Sequence, residues 1–357
     1  MAKVKRYRNF ESLKMQRKKS ISIFLLLTGI LPMVTAQGRI KFEGLTIKNE
    51  TAFYKGKPFT GVSVATYEDN TLAEEVNWKE GKMDGMKTEY YQGAGIHARV
   101  GFRDNRRNGG FTYFYRNGRP KLKGTYRDNL LHDSLWSWYP SGGLQYLHVY
   151  DKGIKTGRMI TWFSNGAIEQ ECMLIGGKPH GEMRNYYMDS SLRSIIHYNR
   201  GVREGSALTW HNTGCLAEEA YYKNGMLDSV HRVWDNLRCE LIRSGSYTKG
   251  KKEGTFLTLD FLGDTISLET FREGKLHGPY ITWHEKLRDT EGSYFNGKKH
   301  GYWKHNQSNK YQWREGEYDE DTQIGTWWYY DTKGRKLMLQ RFDDNGNLLE
   351  EKVFKKI

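Results

Sequence analysis

The chain has 357 residues, of which 37% are apolar and 14% aromatic, with a formal charge of +14. So low an apolar share argues against a thick globular core. Six prolines against 39 glycines imply many tight turns and few rigid linkers. Half of the positive charge is local: residues 1–36 hold eight basic groups and one acid, a net +7. The +7 that remains is spread along the chain, which fits a solvated surface better than a nucleic-acid footprint.

Residues 1–36 read as a signal peptide, with Met15 standing as an alternative start. Lys18 and Lys19 precede the apolar run from Ile21 to Leu31, Pro32 interrupts it, and Val34-Thr35-Ala36 offers a small-residue cleavage site. An apolar run of 11 residues is too short to cross a bilayer as a helix. The expected location is therefore outside the cytoplasm: periplasmic or cell-envelope associated, with secretion also open. Residues 37–52 are expected as irregular cap strands that blunt the edge of a sheet.

Between residues 53 and 342 a glycine keeps a beat of 24 residues: Gly61, Gly85, Gly109, Gly157, Gly181, Gly205, Gly254, Gly278, Gly301 and Gly325, with Asp133 and Ser229 standing in its place. A second series follows the same beat through Trp78, Phe102, Tyr126, Tyr150, Leu174, Tyr198, Tyr222, Tyr247, Phe271, Tyr294, Tyr318 and Phe342. Regularity of this kind defines a repeat array. In the unit from Tyr150 to Leu174, Asp151 to Gly157 reads as one turn. Arg158 to Phe163 reads as a strand, Ser164-Asn165-Gly166 as a hairpin turn in which Asn and Gly tolerate positive φ, and Ala167 to Leu174 as the returning strand. The fold class is all-β, an elongated single-layer antiparallel sheet of about 12 tandem hairpins of 24 residues, twisted into a ribbon. At Asp133 and Ser229 the register is expected to weaken. Residues 343–357 are expected as a C-terminal cap or tail.

Five positions beyond the repeated glycine stand Tyr90, Phe114, Trp138, Trp162, Tyr186, Trp210, Trp234, Trp283 and Tyr330. Equivalent positions share a face of the sheet, so these rings can form a ladder and are the candidate aromatic binding strip. The following residue is often aromatic as well (Tyr91, Tyr115, Tyr139, Phe163, Tyr187) and is expected on the opposite face by strand alternation. A one-layer sheet has no second layer, so its rings must also cover one another.

The motif Tyr-x-x-Gly-Lys-x-x-Gly, followed by an aromatic pair and Asn-Gly-x-Leu, resembles MORN repeats, and most closely their bacterial second variant. Phe53-Tyr54-Lys55-Gly56-Lys57-Pro58-Phe59-Thr60-Gly61 resembles the opening unit of those proteins, and Tyr294-Phe295-Asn296-Gly297-Lys298-Lys299-His300-Gly301 their linker. The resemblance covers about residues 53–342. It implies a non-enzymatic array that binds proteins, sometimes acidic lipid headgroups, or forms dimeric scaffolds. Many bacterial relatives carry an antitoxin label, which an export signal argues against. The repeats leave no room for a separate catalytic domain.

Cys172, Cys215 and Cys239 are the only cysteines. Cys215 and Cys239 share a repeat position, which in adjacent two-strand repeats implies a separation of about 9–10 Å. A disulfide needs Cα atoms within about 7 Å, so no bridge is expected between them. His132, His180, His277 and His300 recur before the repeated glycine and read as turn residues too far apart to share a metal ion. Asp343-Asp344-Asn345-Gly346-Asn347 lacks the acidic spacing of a calcium loop. No catalytic motif is present, and neither a cofactor nor a nucleic-acid partner is expected. The expected function is an exported scaffold that binds a protein partner. The alternatives are a binder of cell-wall glycan or anionic lipid, and an antitoxin-like neutraliser. Pairing of two copies through an end strand stays open.

Overall fold

The computed structural model describes residues 38–306 and 313–354. The expected leader, residues 1–36, lies outside the described residues. The fold is one long antiparallel sheet of 26 strands in tandem hairpins, not closed into a barrel. Each strand pairs with those before and after it in the chain, apart from the two-residue strand Ile40–Lys41, which lies parallel to Gly61–Thr66 at the N-terminal edge. A separate three-stranded sheet (Thr46–Lys48, Thr51–Tyr54 and Lys57–Pro58) forms the cap, and the long sheet takes up at Gly61. At the other edge, Leu348–Val353 is exposed throughout, and its Glu350, Glu351 and Lys352 guard an open strand.

Two kinds of turn alternate. Between strands Leu144–Asp151 and Ile154–Trp162 only Lys152 and Gly153 turn the chain, with φ of 47° and 81°. Two successive positive φ values make the tight turn whose twist matches its flanking strands. The same pair of signs recurs at Asp104-Asn105, Asp128-Asn129, Asn224-Gly225 and Asn296-Gly297. The expected turn from Asp151 to Gly157 is thus too long. Gly157 lies inside the strand, at a bulge where Leu147 faces Ile160 and Val149 faces Thr156.

The Asn-Gly turn also differs from expectation. In the loop after Trp162, the Gly166 N–H donates to the Phe163 carbonyl at 2.9 Å and the Phe163 N–H to the Ala167 carbonyl at 2.9 Å. Gly166 alone takes positive φ, at 90°. Asn165 uses its side chain instead. Its Oδ1 accepts the Ala167 N–H at 3.0 Å, and its Nδ2 donates to the Met188 carbonyl of the next loop at 2.7 Å. This is a three-residue loop with a glycine bulge, and its Asn is chosen for its amide.

Asp133 and Ser229 do not weaken the register. Both adopt the left-handed conformation of the glycines they replace, with φ of 62° and 72°, and the bulge persists at each. A Cβ in that region is unfavourable by about 1–2 kcal/mol. Ser229→Gly is therefore expected to stabilise the chain by about 0.5–1 kcal/mol after allowing for the looser unfolded state. Chemical denaturation of the variant checks this, and an unchanged or lower midpoint would contradict it.

The packed rings run along one face at two repeat positions, the first buried and the second mostly half-buried. One lies two residues beyond the repeated glycine (Phe111, Phe256, Trp303, Trp327), and the other is the second sequence series (Tyr126, Tyr247, Phe271, Tyr294, Tyr318). Phe111 stacks on Tyr126 at 4.5 Å, Phe256 meets Tyr247 and Phe271 at 5.4 and 5.1 Å, and Trp303 meets Tyr294 at 5.0 Å. Beneath the largest rings the neighbouring strand carries glycine with ordinary φ: Gly245 under Phe256, Gly292 under Trp303 and Gly316 under Trp327. A side chain there would overlap the ring, so ring and glycine form one packing unit.

Candidate functional site

The nine candidate strip residues lie at or next to the ends of their strands; seven adjoin three-residue loops, Trp234 adjoins the longer loop from Asp235 to Glu240, and Trp283 precedes His284 and the two-residue turn Glu285-Lys286. Tyr90 closes Lys82–Tyr90, Trp138 closes Leu130–Trp138 and Trp162 closes Ile154–Trp162. They lie an odd number of residues from the buried column beyond the bulge, so they face the other side of the sheet. Tyr90, Phe114, Trp138, Trp162, Tyr186, Trp210, Trp234 and Trp283 are half-buried. Tyr330 is buried and stacks on Trp313 at 3.6 Å, which takes it out of any open surface.

The strip is not a ladder of mutually stacked rings. Among the described residues, no ring–ring contact joins two of the nine, and Tyr330 stacks on Trp313 instead. The strip is held through its backbone. In five units the first loop residue is a tyrosine that reaches forward one repeat. The Tyr67 hydroxyl donates to the Tyr90 carbonyl at 2.7 Å, Tyr91 to Phe114 at 2.8 Å, Tyr115 to Trp138 at 2.7 Å, Tyr139 to Trp162 at 2.8 Å and Tyr187 to Trp210 at 2.8 Å. His211 Nε2 lies 3.2 Å from the Trp234 carbonyl in the same arrangement. These second aromatics were expected as strand residues on the opposite face. They lie just past the strand end, where alternation no longer applies, and serve as ties between loops.

Phe163 occupies this position without a hydroxyl, opposite the Tyr186 carbonyl. Phe163→Tyr is expected to complete the series and raise stability by about 0.5–1.5 kcal/mol, the usual net value of one hydrogen bond. A shift in denaturation midpoint reads it, and a neutral or destabilising result would show that the forward tie contributes nothing.

Beside the rings the same face carries paired charges. Arg158 lies 3.3 Å from Glu171, and Arg232 lies 2.9 Å from Glu219. Tyr90 donates to Glu75 at 2.8 Å, Tyr186 to Glu171 at 2.9 Å and Tyr330 to Glu315 at 2.8 Å. Burial, and then the neighbouring carboxylate, raise the phenol pKa of Tyr90 and Tyr186, so both remain donors. Met173, half-exposed, lies with Arg158, Glu171, Glu182 and Arg184 around a hollow of about 170 Å³ in the middle of the sheet.

The recurrent histidines lie in strands rather than in turns. His300 Nδ1 is 3.1 Å from Asp319, and His277 Nδ1 accepts the Asn296 N–H at 3.4 Å. Among the described residues no three His, Cys, Asp or Glu gather closely enough to hold a metal ion. His305 and His148, in the aromatic column, have pKa values pushed down to about 4 by burial and by nearby cations, Lys299 and Arg314 for the first and Lys155 for the second.

Cys215 and Cys239 form a disulfide, with Cα atoms 5.3 Å apart, contrary to expectation. The strand arithmetic fails because both residues end loops rather than sit mid-strand. Adjacent loops are drawn together, as the Thr213 hydroxyl shows by donating to Asn236 Oδ1 at 3.0 Å. The second loop also closes one residue later than the first, Asp235 bonding to Glu240 where His211 bonds to Cys215. That extra residue lets Cys239 take a left-handed φ of 61° and turn toward Cys215. Cys172 is free and buried.

Comparison with known proteins finds no matching family model and no matching curated protein. Among solved structures, the crystal structures of TcdB2-TccC3-Cdc42, TcdB2-TccC3 and TcdB2-TccC3-TEV are similar over 82% of this chain, at 11%, 10% and 12% identity. The chain spans 17%, 19% and 18% of those chains, with TM-scores of 0.16, 0.16 and 0.17. Likeness at that level carries no inference about function. Among the described residues no helix is long and apolar enough to cross a membrane.

Proposed function

We propose that this chain is an exported, non-enzymatic β-repeat scaffold of the MORN-like kind, and that it binds a protein partner along the strip-bearing face. The observation that supports this is the row of half-buried rings from Tyr90 to Trp283, set at one repeat position beside ordered Arg and Glu side chains. Large rigid rings with charged neighbours are the side chains that dominate protein interfaces. Because the backbones of Tyr90, Phe114, Trp138, Trp162 and Trp210 are tied by forward hydrogen bonds, those rings are held before a partner arrives, which lowers the entropy lost on binding. The Cys215–Cys239 bridge suits an oxidising compartment and supports the export reading.

The test is crosslinked capture from an envelope fraction with the wild-type chain and with a Trp138→Ala, Trp162→Ala, Trp210→Ala variant. A specific partner retained by the first should lose at least about tenfold in affinity to the second, since a buried interface tryptophan is commonly worth 2 kcal/mol or more. Circular dichroism establishes that the variant is folded. Saturable binding to glycan or anionic vesicles by both proteins, with no protein partner lost, would overturn the reading.

A further inference from the structure

At its N-terminal end the aromatic column is interrupted. The position held farther along by Phe111, Phe256, Trp303 and Trp327 is here Lys87, and the facing strand offers only Val76. The missing ring leaves a cavity of about 460 Å³. Val76, Trp78 and Met83 line it from the sheet, and Phe42 and Ile47 line it from the cap. Phe42 and Ile47 are 37% and 48% exposed, so large apolar side chains stand uncovered at its mouth. The cap is strapped to the sheet here. Asn105 Oδ1 accepts the Met83 N–H at 2.6 Å, and its Nδ2 donates to the Glu50 carbonyl at 2.7 Å.

The polar wall has an excess of negative charge. Lys87 Nζ is held by Glu74 at 2.8 Å and by Glu89 at 3.0 Å, and Glu50 lines the same cavity. Two carboxylates thus share the one ammonium, the third, Glu50, stands elsewhere on the cavity wall, and His97 lies 3.7 Å from Glu89 at the margin. A volume of this size, apolar inside with a few convergent polar groups, is that of a small-molecule site. The geometry points to a site for a small organic cation, its apolar body in the hollow between Ile47, Trp78 and Met83 and its positive group set against Glu50 and Glu74. Two effects favour a cation over an anion: the uncompensated carboxylates and the attraction of a cation to aromatic faces. The site shares no residue with the aromatic strip and stands independently of the partner reading.

Calorimetric titration of the full chain at pH 7 with octylammonium, octanoate and octanol separates charge from apolar bulk. The expected result is saturable binding of octylammonium about tenfold tighter than octanoate, with octanol between them. Glu50→Gln with Glu74→Gln should bring octylammonium and octanoate to within about threefold of each other while leaving octanol unchanged. Ile47→Ser, at an exposed cap position, should weaken all three. Octanoate binding as tightly as octylammonium, octylammonium unaffected by removing both carboxylates, or no saturable binding by any of the three would overturn the assignment.

Discussion

Trp303→Ala is expected to cost about 3–5 kcal/mol, the usual range for deleting a buried tryptophan. Trp303 is fully buried. Its ring meets Tyr280, Tyr294, Tyr318 and His305, and its Nε1 donates to the Ser293 carbonyl at 3.1 Å. No second layer of structure is available to collapse into the hole. In a repeat array each unit depends on its neighbours, so the damage should uncouple the C-terminal repeats from the rest. Hydrogen exchange should show early opening of the strands from Lys275 to Phe342, with the N-terminal repeats unaffected. Gly292 supplies a sharper test. Isoleucine there would overlap the Trp303 ring and, alone, should destabilise by about 1–3 kcal/mol or more. Combined with Trp303→Ala it should restore part of the loss, because the chain already uses that pair elsewhere: Ile196 faces Ala207 at the equivalent positions. A double variant as unstable as the sum of the singles would show that ring and glycine are not one packing unit.

That packing unit also shows what could be read from residue spacing. The beat of Gly85, Gly109 and Gly157 reveals the hairpins, because only glycine suits their left-handed bulges at low cost. The same letters hide which glycine turns the chain and which one bulges a strand, since both need positive φ. Gly153 and Gly157 differ only in context. The aromatic column was visible only as a second beat at Tyr126, Tyr150 and Tyr294. Its other half, Phe111, Met159, Ala207 and Trp303, varies so widely in size that no periodic letter marks it. What is kept at that position is the summed volume with the facing residue, Gly292 with Trp303 or Ile196 with Ala207, and a pair separated by a strand register is not apparent without pairing. The candidate strip was the more regular signal and so drew attention, yet its rings are tied by backbone hydrogen bonds rather than by one another. The cavity by Lys87 was missed because a lysine in an aromatic column looks like an ordinary substitution.

The second large effect concerns the bridge that spacing seemed to forbid. Reducing Cys215–Cys239, or replacing both with serine, is expected to remove roughly 3.5 kcal/mol, the loop-closure value for a 24-residue link. The loss should be local. The bridge joins two consecutive loops on one edge, so it restrains the strands Leu216–Lys223, Met226–Trp234 and Leu241–Thr248. The second loop, from Asp235 to Glu240, presents Leu237 almost fully to solvent and is the natural point of proteolytic attack once released. Limited proteolysis should therefore cut near Leu237 faster with reductant present, and the Cys215→Ser, Cys239→Ser variant should be cut equally fast with or without it. Peptide mapping without reduction should recover the two cysteines in one linked species. Cys172→Ser should leave the response to reductant unchanged, because that thiol is buried in the column and joined to nothing. Reductant that leaves the cleavage rate of the native chain untouched would show that the forward hydrogen bonds between loops, such as Thr213 to Asn236, already hold this edge without the bridge.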